Sequence, residues 1–195
     1  MFYEIIRTII RVALLFVFRI KQVGYKENVP KEGGVILAFN HTSNWDPVIA
    51  GVTCKRHLRF MAKEELFKNP IFGALIKGLG AFPVHRGAGD IGAMRASFKI
   101  LGEGSAMLMF PEGRRIKDGR IVKAKPGLVV IAQRAKVPIV PVCIDGKYGW
   151  MKKITVTYGK PVSMEEYYGQ KLEMDKIQEI ADGIMDNIRE MRVKA

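Results

Sequence analysis

The fold class that this sequence predicts is α/β, a mixed sheet flanked by helices, with an N-terminal amphipathic membrane-anchoring helix. Three observations carry the prediction. Helical and strand patterns alternate along the chain, which favours a layered α/β architecture over all-α or all-β. Short unbroken apolar runs, Val35–Asn40 and Ala106–Phe110 among them, read as strands buried on both faces. No Pro/Ser/Gly-rich linker divides the 195 residues, 48% of them hydrophobic, so one domain with a sizeable core follows.

The elements follow in chain order. Residues 1–20 read as an anchor helix, and 21–195 as a single domain behind it. Glu4, Arg7 and Arg11 fall near one face of the helix and large apolar residues fill the opposite one. The longest apolar run there, Val12–Phe18, is seven residues, against the roughly 20 needed to cross a bilayer. The helix is therefore expected to lie in the membrane interface, with Arg19, Lys21 and Lys26 reaching lipid phosphates. A core helix and a signal peptide are the competing readings, the latter disfavoured because no Ala-x-Ala-like cleavage site follows.

Gln22–Glu27 reads as a short strand ending before Pro30, and Val35–Asn40 as a buried one. Arg59–Ala62 is a further strand. Glu64–Gly78 is helical with a break at Asn69-Pro70, and Ala81–Val84 is a strand followed by the turn Gly87-Ala88-Gly89. A helix is expected from about Asp90 to Leu101, a buried strand at Ala106–Phe110 and a turn across Lys117-Asp118-Gly119-Arg120. Gly127–Lys136 reads as a helix, Ile139–Ile144 as a buried strand and Ile154–Tyr158 as an edge strand. Met174–Val193 closes the chain as an amphipathic helix with Ile177, Ile180, Ile184 and Ile188 on its apolar stripe.

Thirty-two Lys and Arg against 19 Asp and Glu leave a formal charge of +13, so the expected partner is anionic. Nucleic acid is not expected, because no aromatic residues interleave with the basic ones and no recognition motif occurs. Cys54 and Cys143 fit neither a disulfide framework nor a zinc or redox spacing, which points to a reducing compartment and to the cytoplasmic face of the membrane. A metal site from His41, His57 and His85 is not expected either, since no His-x-x-x-His spacing is present.

Three apolar strands end in unusual polar clusters, after Asn40, Val84 and Phe110, and such ends converge on one crevice in an open sheet. His41 and Asp46 are five positions apart, roughly 140° around a regular helix, so they meet only across a turn. Thr42, Ser43, Asn44 and Pro47 supply turn and helix-start chemistry there. Asp46 can then fix the imidazole tautomer and stabilise the imidazolium as the other ring nitrogen takes a proton. By spacing alone an Asp46 helix cap beside an incidental His41 fits equally well. No Gly-x-Ser-x-Gly elbow occurs, so such a pair would activate a hydroxyl of the substrate rather than of the protein. Arg86 after the Ala81–Val84 strand, and Glu112, Gly113, Arg114 and Arg115 after Phe110, offer guanidinium forks and close backbone approach for a phosphate or carboxylate. Taken singly, Arg86 reads as well as a surface residue beside a turn, and the second cluster as a polar hairpin.

Asn40-His41-Thr42-Ser43-Asn44-Trp45-Asp46, Gly80-Ala81-Phe82-Pro83-Val84-His85-Arg86, Phe110-Pro111-Glu112-Gly113-Arg114-Arg115 and Val137-Pro138-Ile139-Val140-Pro141 resemble, in order and spacing, the four blocks of the glycerophospholipid acyltransferase family. The likeness is nearest to its bacterial 1-acyl-glycerol-3-phosphate acyltransferases. The resemblance implies a glycerolphosphate-acyltransferase-like fold and acyl transfer from acyl-CoA or acyl carrier protein to lysophosphatidic acid, with no cofactor and no metal. It implies His41 as general base, Asp46 as its orienting partner, Arg86, Arg115 and Lys63 as phosphate ligands, and Glu112 and Gly113 as residues that shape the pocket. Pro138 and Pro141 would be structural. Two positions depart from the family pattern: Arg114 stands where Thr or Ser is usual, and His85 where an acidic residue is common. Acylation of glycerol-3-phosphate or another lysophospholipid is the alternative within the class. A non-catalytic basic membrane- or nucleic-acid-binding domain is the alternative outside it.

Overall fold

The computed structural model describes residues 2–84, 91–116 and 122–193. Its centre is strand β2 (Val35–Phe39), every residue of which is fully buried. Side chains alternate across a strand, so Val35, Leu37 and Phe39 enter one core while Ile36 and Ala38 enter the other. That explains the unbroken apolar run: this strand has no solvent face. β5 (Ala106–Met109) and β6 (Ile139–Gly146) flank it, both parallel. Beyond β5 lie β3 (Leu58–Lys63) and β4 (Ala81–Val84), also parallel. Beyond β6 lies β7 (Lys152–Tyr158), antiparallel to it, and then β1 (Phe18–Val23), parallel to β7. Among the described residues the sheet has seven strands, in the order β1-β7-β6-β2-β5-β3-β4.

Helices cover both faces. α5 (Ile91–Gly102), α6 (Gly127–Ala135) and α7 (Met174–Val193) build one core with Ile36, Met107 and Ile139. α7 buries Ile177, Ile184 and Ile188, with Ile180 partly buried, as its spacing predicts. The other core gathers Leu14 of α1 (Phe2–Leu15) and Ile49, Ala50 and Val52 of α3 (Asp46–Thr53) against Leu37, Phe39 and Leu108. α4 (Pro70–Gly78) starts where the Asn69-Pro70 break places it: the Asn69 side chain accepts from the Phe72 N–H at 2.9 Å. Tyr25–Asn28 forms a short helix, α2.

Three expectations are corrected. The N-terminal helix ends at Leu15, not near residue 20, and Phe18–Ile20 already belong to β1. The expected Gln22–Glu27 strand stops at Val23, because Gly24 takes φ +74° and turns the chain into α2. β7 is not an edge strand, because β1 covers its outer side; the edges are β1 and β4. The turn at Gly87-Ala88-Gly89, the turn at Lys117–Arg120, and His85 and Arg86 lie outside the described residues.

α1 also differs in which faces it presents. Tyr3, Arg7, Ile10 and Leu14, at helical spacing, turn toward the domain. Tyr3 stacks on His57 with ring centroids 3.7 Å apart, and Arg7 Nη1 donates to the carbonyls of Cys54 (3.2 Å) and Lys55 (2.8 Å). These carbonyls lie just past the C-terminal end of α3, where a cation is favoured. Arg7 therefore fastens the helix to the domain rather than joining a solvent-facing charged stripe. Ile5, Ile9, Val12 and Phe16 run along the opposite side and are exposed.

Candidate active site

Parallel pairing carries the C-terminal ends of β2, β5 and β6 to one edge of the sheet. Asn40 follows β2 and continues its pairing with a side chain: Nδ2 donates to Ile144 O (2.9 Å) and Oδ1 accepts from Ile144 N–H (2.7 Å). His41 then turns out of the sheet, held at four points. Its backbone N–H donates to Glu112 Oε2 (2.6 Å), and its carbonyl accepts from Ile116 N–H (2.8 Å). Its ring stacks on Phe110, centroids 4.0 Å apart and planes 17° from parallel. Its Nδ1 lies 2.9 Å from Asp46 Oδ2.

Asp46 opens α3, next to Pro47, and has no exposed surface. Besides His41, Oδ2 accepts from the backbone N–H groups of Thr42 (2.6 Å) and Ser43 (2.7 Å), while Oδ1 accepts from the Tyr148 hydroxyl. Asp46 is not the cap of α3, whose N-cap is Trp45 with no side-chain cap bond; its carboxylate instead ties the turn before the helix and partners the histidine. The carboxylate that ties the turn faces the imidazole. Because a carboxylate only accepts, Nδ1 carries the proton in the neutral ring and Nε2 is the basic nitrogen. The arrangement can take a proton at Nε2 and hold the resulting imidazolium against a buried charge.

Glu112 is nearly as buried, and loss of water pushes its pKa from 4.5 up to about 7. The His41 N–H opposes that shift, and the Asp46 charge adds to it. Its contact with the backbone of His41 makes it a clamp on the histidine loop. Gly113 adopts φ +66°, a region glycine enters without strain, as its N–H folds back on Phe110 O (2.9 Å). Arg115 Nη1 donates to Asn44 Oδ1, and its Nε, buried, has no hydrogen-bond partner among the described residues. Lys63 stands exposed at the end of β3, ion-paired with Glu65 at 3.0 Å.

The structure therefore joins His41, Asp46 and Glu112 directly and brings Arg115 to their loop through Asn44. Lys63 is engaged by Glu65 rather than by this group. Among the described residues no cluster of three or more His, Cys, Asp or Glu could hold a metal ion. Tyr148 escaped the sequence reading. It lies in the loop after β6, and strand-end convergence, applied to Ile139–Ile144 as to the other buried strands, would have pointed there.

Beside this group an apolar cavity of about 590 Å³ runs between α1 and α4, over α3 and β3. Val48, Gly51, Phe60, Phe72, Leu75 and Leu108 are among its lining residues, and Asn44, the partner of Arg115, is one of its few polar ones. Leu66, Ile71, Phe72 and Leu75 are exposed apolar residues on the α4 side.

A family profile described as Acyltransferase matches residues 21–145. The 1-acyl-sn-glycerol-3-phosphate acyltransferase of Bacillus subtilis is 30% identical over 178 residues, covering 87% of this chain and 86% of that one. The protein of the same name from Streptococcus pneumoniae is 29% identical, over 98% of this chain and 73% of its own. Among solved structures, the 1-acyl-sn-glycerophosphate (LPA) acyltransferase PlsC from Thermotoga maritima superposes with a TM-score of 0.75 at 24% identity, covering 97% of this chain and 79% of that one. At that identity it speaks for the fold. With the profile spanning most of the domain and a relative matched along nearly its whole length, this chain belongs to the acyltransferase family.

Proposed function

We propose that the protein transfers a fatty acyl group from a thioester, on coenzyme A or acyl carrier protein, to the 2-hydroxyl of 1-acyl-glycerol-3-phosphate, forming phosphatidate. The observation that carries this reading is the His41 Nδ1–Asp46 Oδ2 contact of 2.9 Å beside an apolar cavity, in a chain whose relatives bear that activity in their names. His41 Nε2 takes the hydroxyl proton as the oxygen attacks the thioester carbonyl. The C–S bond then breaks, and the imidazolium returns the proton to the leaving thiolate, giving ester and free thiol with no acyl-enzyme. Asp46, buried and unscreened by solvent, stabilises the imidazolium between these steps. Arg115 binds the acceptor phosphate through Nη2, the guanidinium nitrogen that is neither held by Asn44 nor buried unpaired, with Arg86 as a second ligand. The apolar cavity takes an acyl chain.

The substrates are membrane lipids, and the exposed row Ile5, Ile9, Val12 and Phe16 supports an interfacial seat for α1, with exposed Arg19 and Lys21 toward anionic headgroups. No helix among the described residues is long and apolar enough to cross a membrane. The test is product analysis by mass spectrometry, with purified protein, acyl-CoA or acyl carrier protein thioester, and a panel of acceptors in lipid micelles. Phosphatidate from 1-acyl-glycerol-3-phosphate is expected. Acylation of glycerol-3-phosphate alone would move the acceptor assignment, and no acyl transfer by folded protein with either donor would end the proposal.

A further inference from the structure

We propose that Tyr148 is a positioning residue for acyl transfer, acting on His41 through Asp46; the proposal rests on the reading of His41 as the base. The two oxygens of Asp46 are unequally held. Oδ2 is shared by His41 Nδ1 and the Thr42 and Ser43 amides, all from within the histidine turn. Oδ1 is held by the Tyr148 hydroxyl, which comes from outside that turn, in the loop between β6, the strand beside β2, and β7. Rotation of the carboxylate about its side-chain bond moves both oxygens together, so a donor on Oδ1 also resists the rotation that would carry Oδ2 out of line with the imidazole N–H. The Tyr148 hydroxyl is the donor that supplies this restraint on Oδ1.

Tyr148 is itself braced. Its ring meets Phe18 edge-on, centroids 5.7 Å apart, and Phe18 in turn meets Trp45, the residue before Asp46, edge-on at 5.6 Å. The loop backbone is tied to the start of β1 by Met151 N–H on Val17 O (2.7 Å). Packing alone would be satisfied by a phenyl ring; the hydroxyl meets a fully buried carboxylate. Burial and the hydrogen bond to Asp46 both raise the phenol pKa, so it remains a neutral donor throughout the working range of pH. The ionisable groups gathered there are Asp46 on α3, His41 in the turn after β2 and Glu112 after β5, the last two joined through the His41 N–H, with Arg115 reaching the turn by way of Asn44.

The variant Tyr148→Phe keeps the ring on Phe18 and deletes only the donor. Without it the carboxylate is less stabilised as an anion and attracts a proton on His41 more strongly, so the acidic limb of the pH–rate profile moves to higher pH. The expected result is a fall in kcat of about tenfold, near what one hydrogen bond to a charged group is worth. Both KM values should stay within about twofold, and the acidic limb should rise by about half a unit or more. His41→Ala is measured alongside. If His41→Ala is inactive while Tyr148→Phe keeps kcat and pH profile unchanged, the positioning role is wrong and the base assignment stands. If kcat falls without a shift of the acidic limb, or with a matching loss of melting temperature, Tyr148 is structural only. Ordinary turnover by His41→Ala sinks both readings.

Discussion

Replacing Asp46 by Asn tests the electrostatic core of the proposed mechanism with little change of volume. With its oxygen kept on the Thr42 and Ser43 amides, the new NH2 group meets the Tyr148 hydroxyl, which can turn from donor to acceptor. The fold is therefore expected to survive, with melting temperature close to that of the parent protein. What disappears is the negative charge 2.9 Å from the ring nitrogen, at a residue with no exposed surface. Across about 4 Å between charge centres, at an effective dielectric near 20, that charge stabilises an imidazolium by about 4 kcal/mol. Loss of that much transition-state stabilisation is about three orders of magnitude in kcat. Thiol release from an acyl thioester in lipid micelles gives the rate, and thermal unfolding controls for the fold. A folded Asp46→Asn protein turning over within about tenfold of the parent would refute the argument, since so small a loss leaves no room for imidazolium stabilisation of this size.

The remaining expectations concern the clamp, the phosphate ligand and the membrane seat. Glu112 has a folded-state pKa of about 7, above its ordinary 4.5, so the folded chain keeps a proton that the unfolded chain releases, and stability falls as pH rises through that window. Glu112→Gln keeps an acceptor for His41 N–H but cannot ionise, so its melting temperature should decline less between pH about 5 and about 7; an equal decline would remove Glu112 as the cause. Arg115→Ala should raise the acceptor KM by about tenfold to a hundredfold while the acyl-donor KM stays put, as loss of charge-assisted hydrogen bonds to phosphate implies. Equal rises would make it a structural arginine. The pair Ile9→Asp and Phe16→Asp should weaken co-sedimentation with phosphatidylglycerol vesicles by more than about tenfold. Turnover of a short-chain soluble acceptor should be unchanged, and unaltered sedimentation would deny the α1 stripe a role in binding.

What could be read in advance divides along physical lines. β2, β5 and α7 were legible because burial on both faces leaves an unbroken apolar run, and burial on one helical face leaves a period near 3.6. The end of α1 was not. Neither Gly nor Pro marks the break after Leu15, and Phe18–Val23 becomes a strand because it pairs with Lys152–Thr157, a partner no local pattern announces. The same missing partner is why Ile154–Tyr158, expected as an edge, is covered on its outer side. In the candidate site, the His41, Asp46, Glu112 and Arg115 motifs were visible as chemistry at strand ends, but not the division of labour among them. That Glu112 grips the His41 backbone and that Asp46 serves turn and imidazole at once are matters of which atom meets which. Tyr148 stood far along the chain in a segment without motif character.

The parallel pairing of β1 with β7 sets the order in which the protein can be completed. During synthesis β1 is made before the other described strands, and the strand it lies against follows all of them. Contacts so distant in sequence form late, because a long loop must close before they repay its entropy. Until β7 is in place, Phe18–Val23 lacks the strand it pairs with. Docking of β1 on β7 thus lies beside the candidate site, and a nascent chain ending before Lys152 would present α1 and its apolar row without the strand that holds β1.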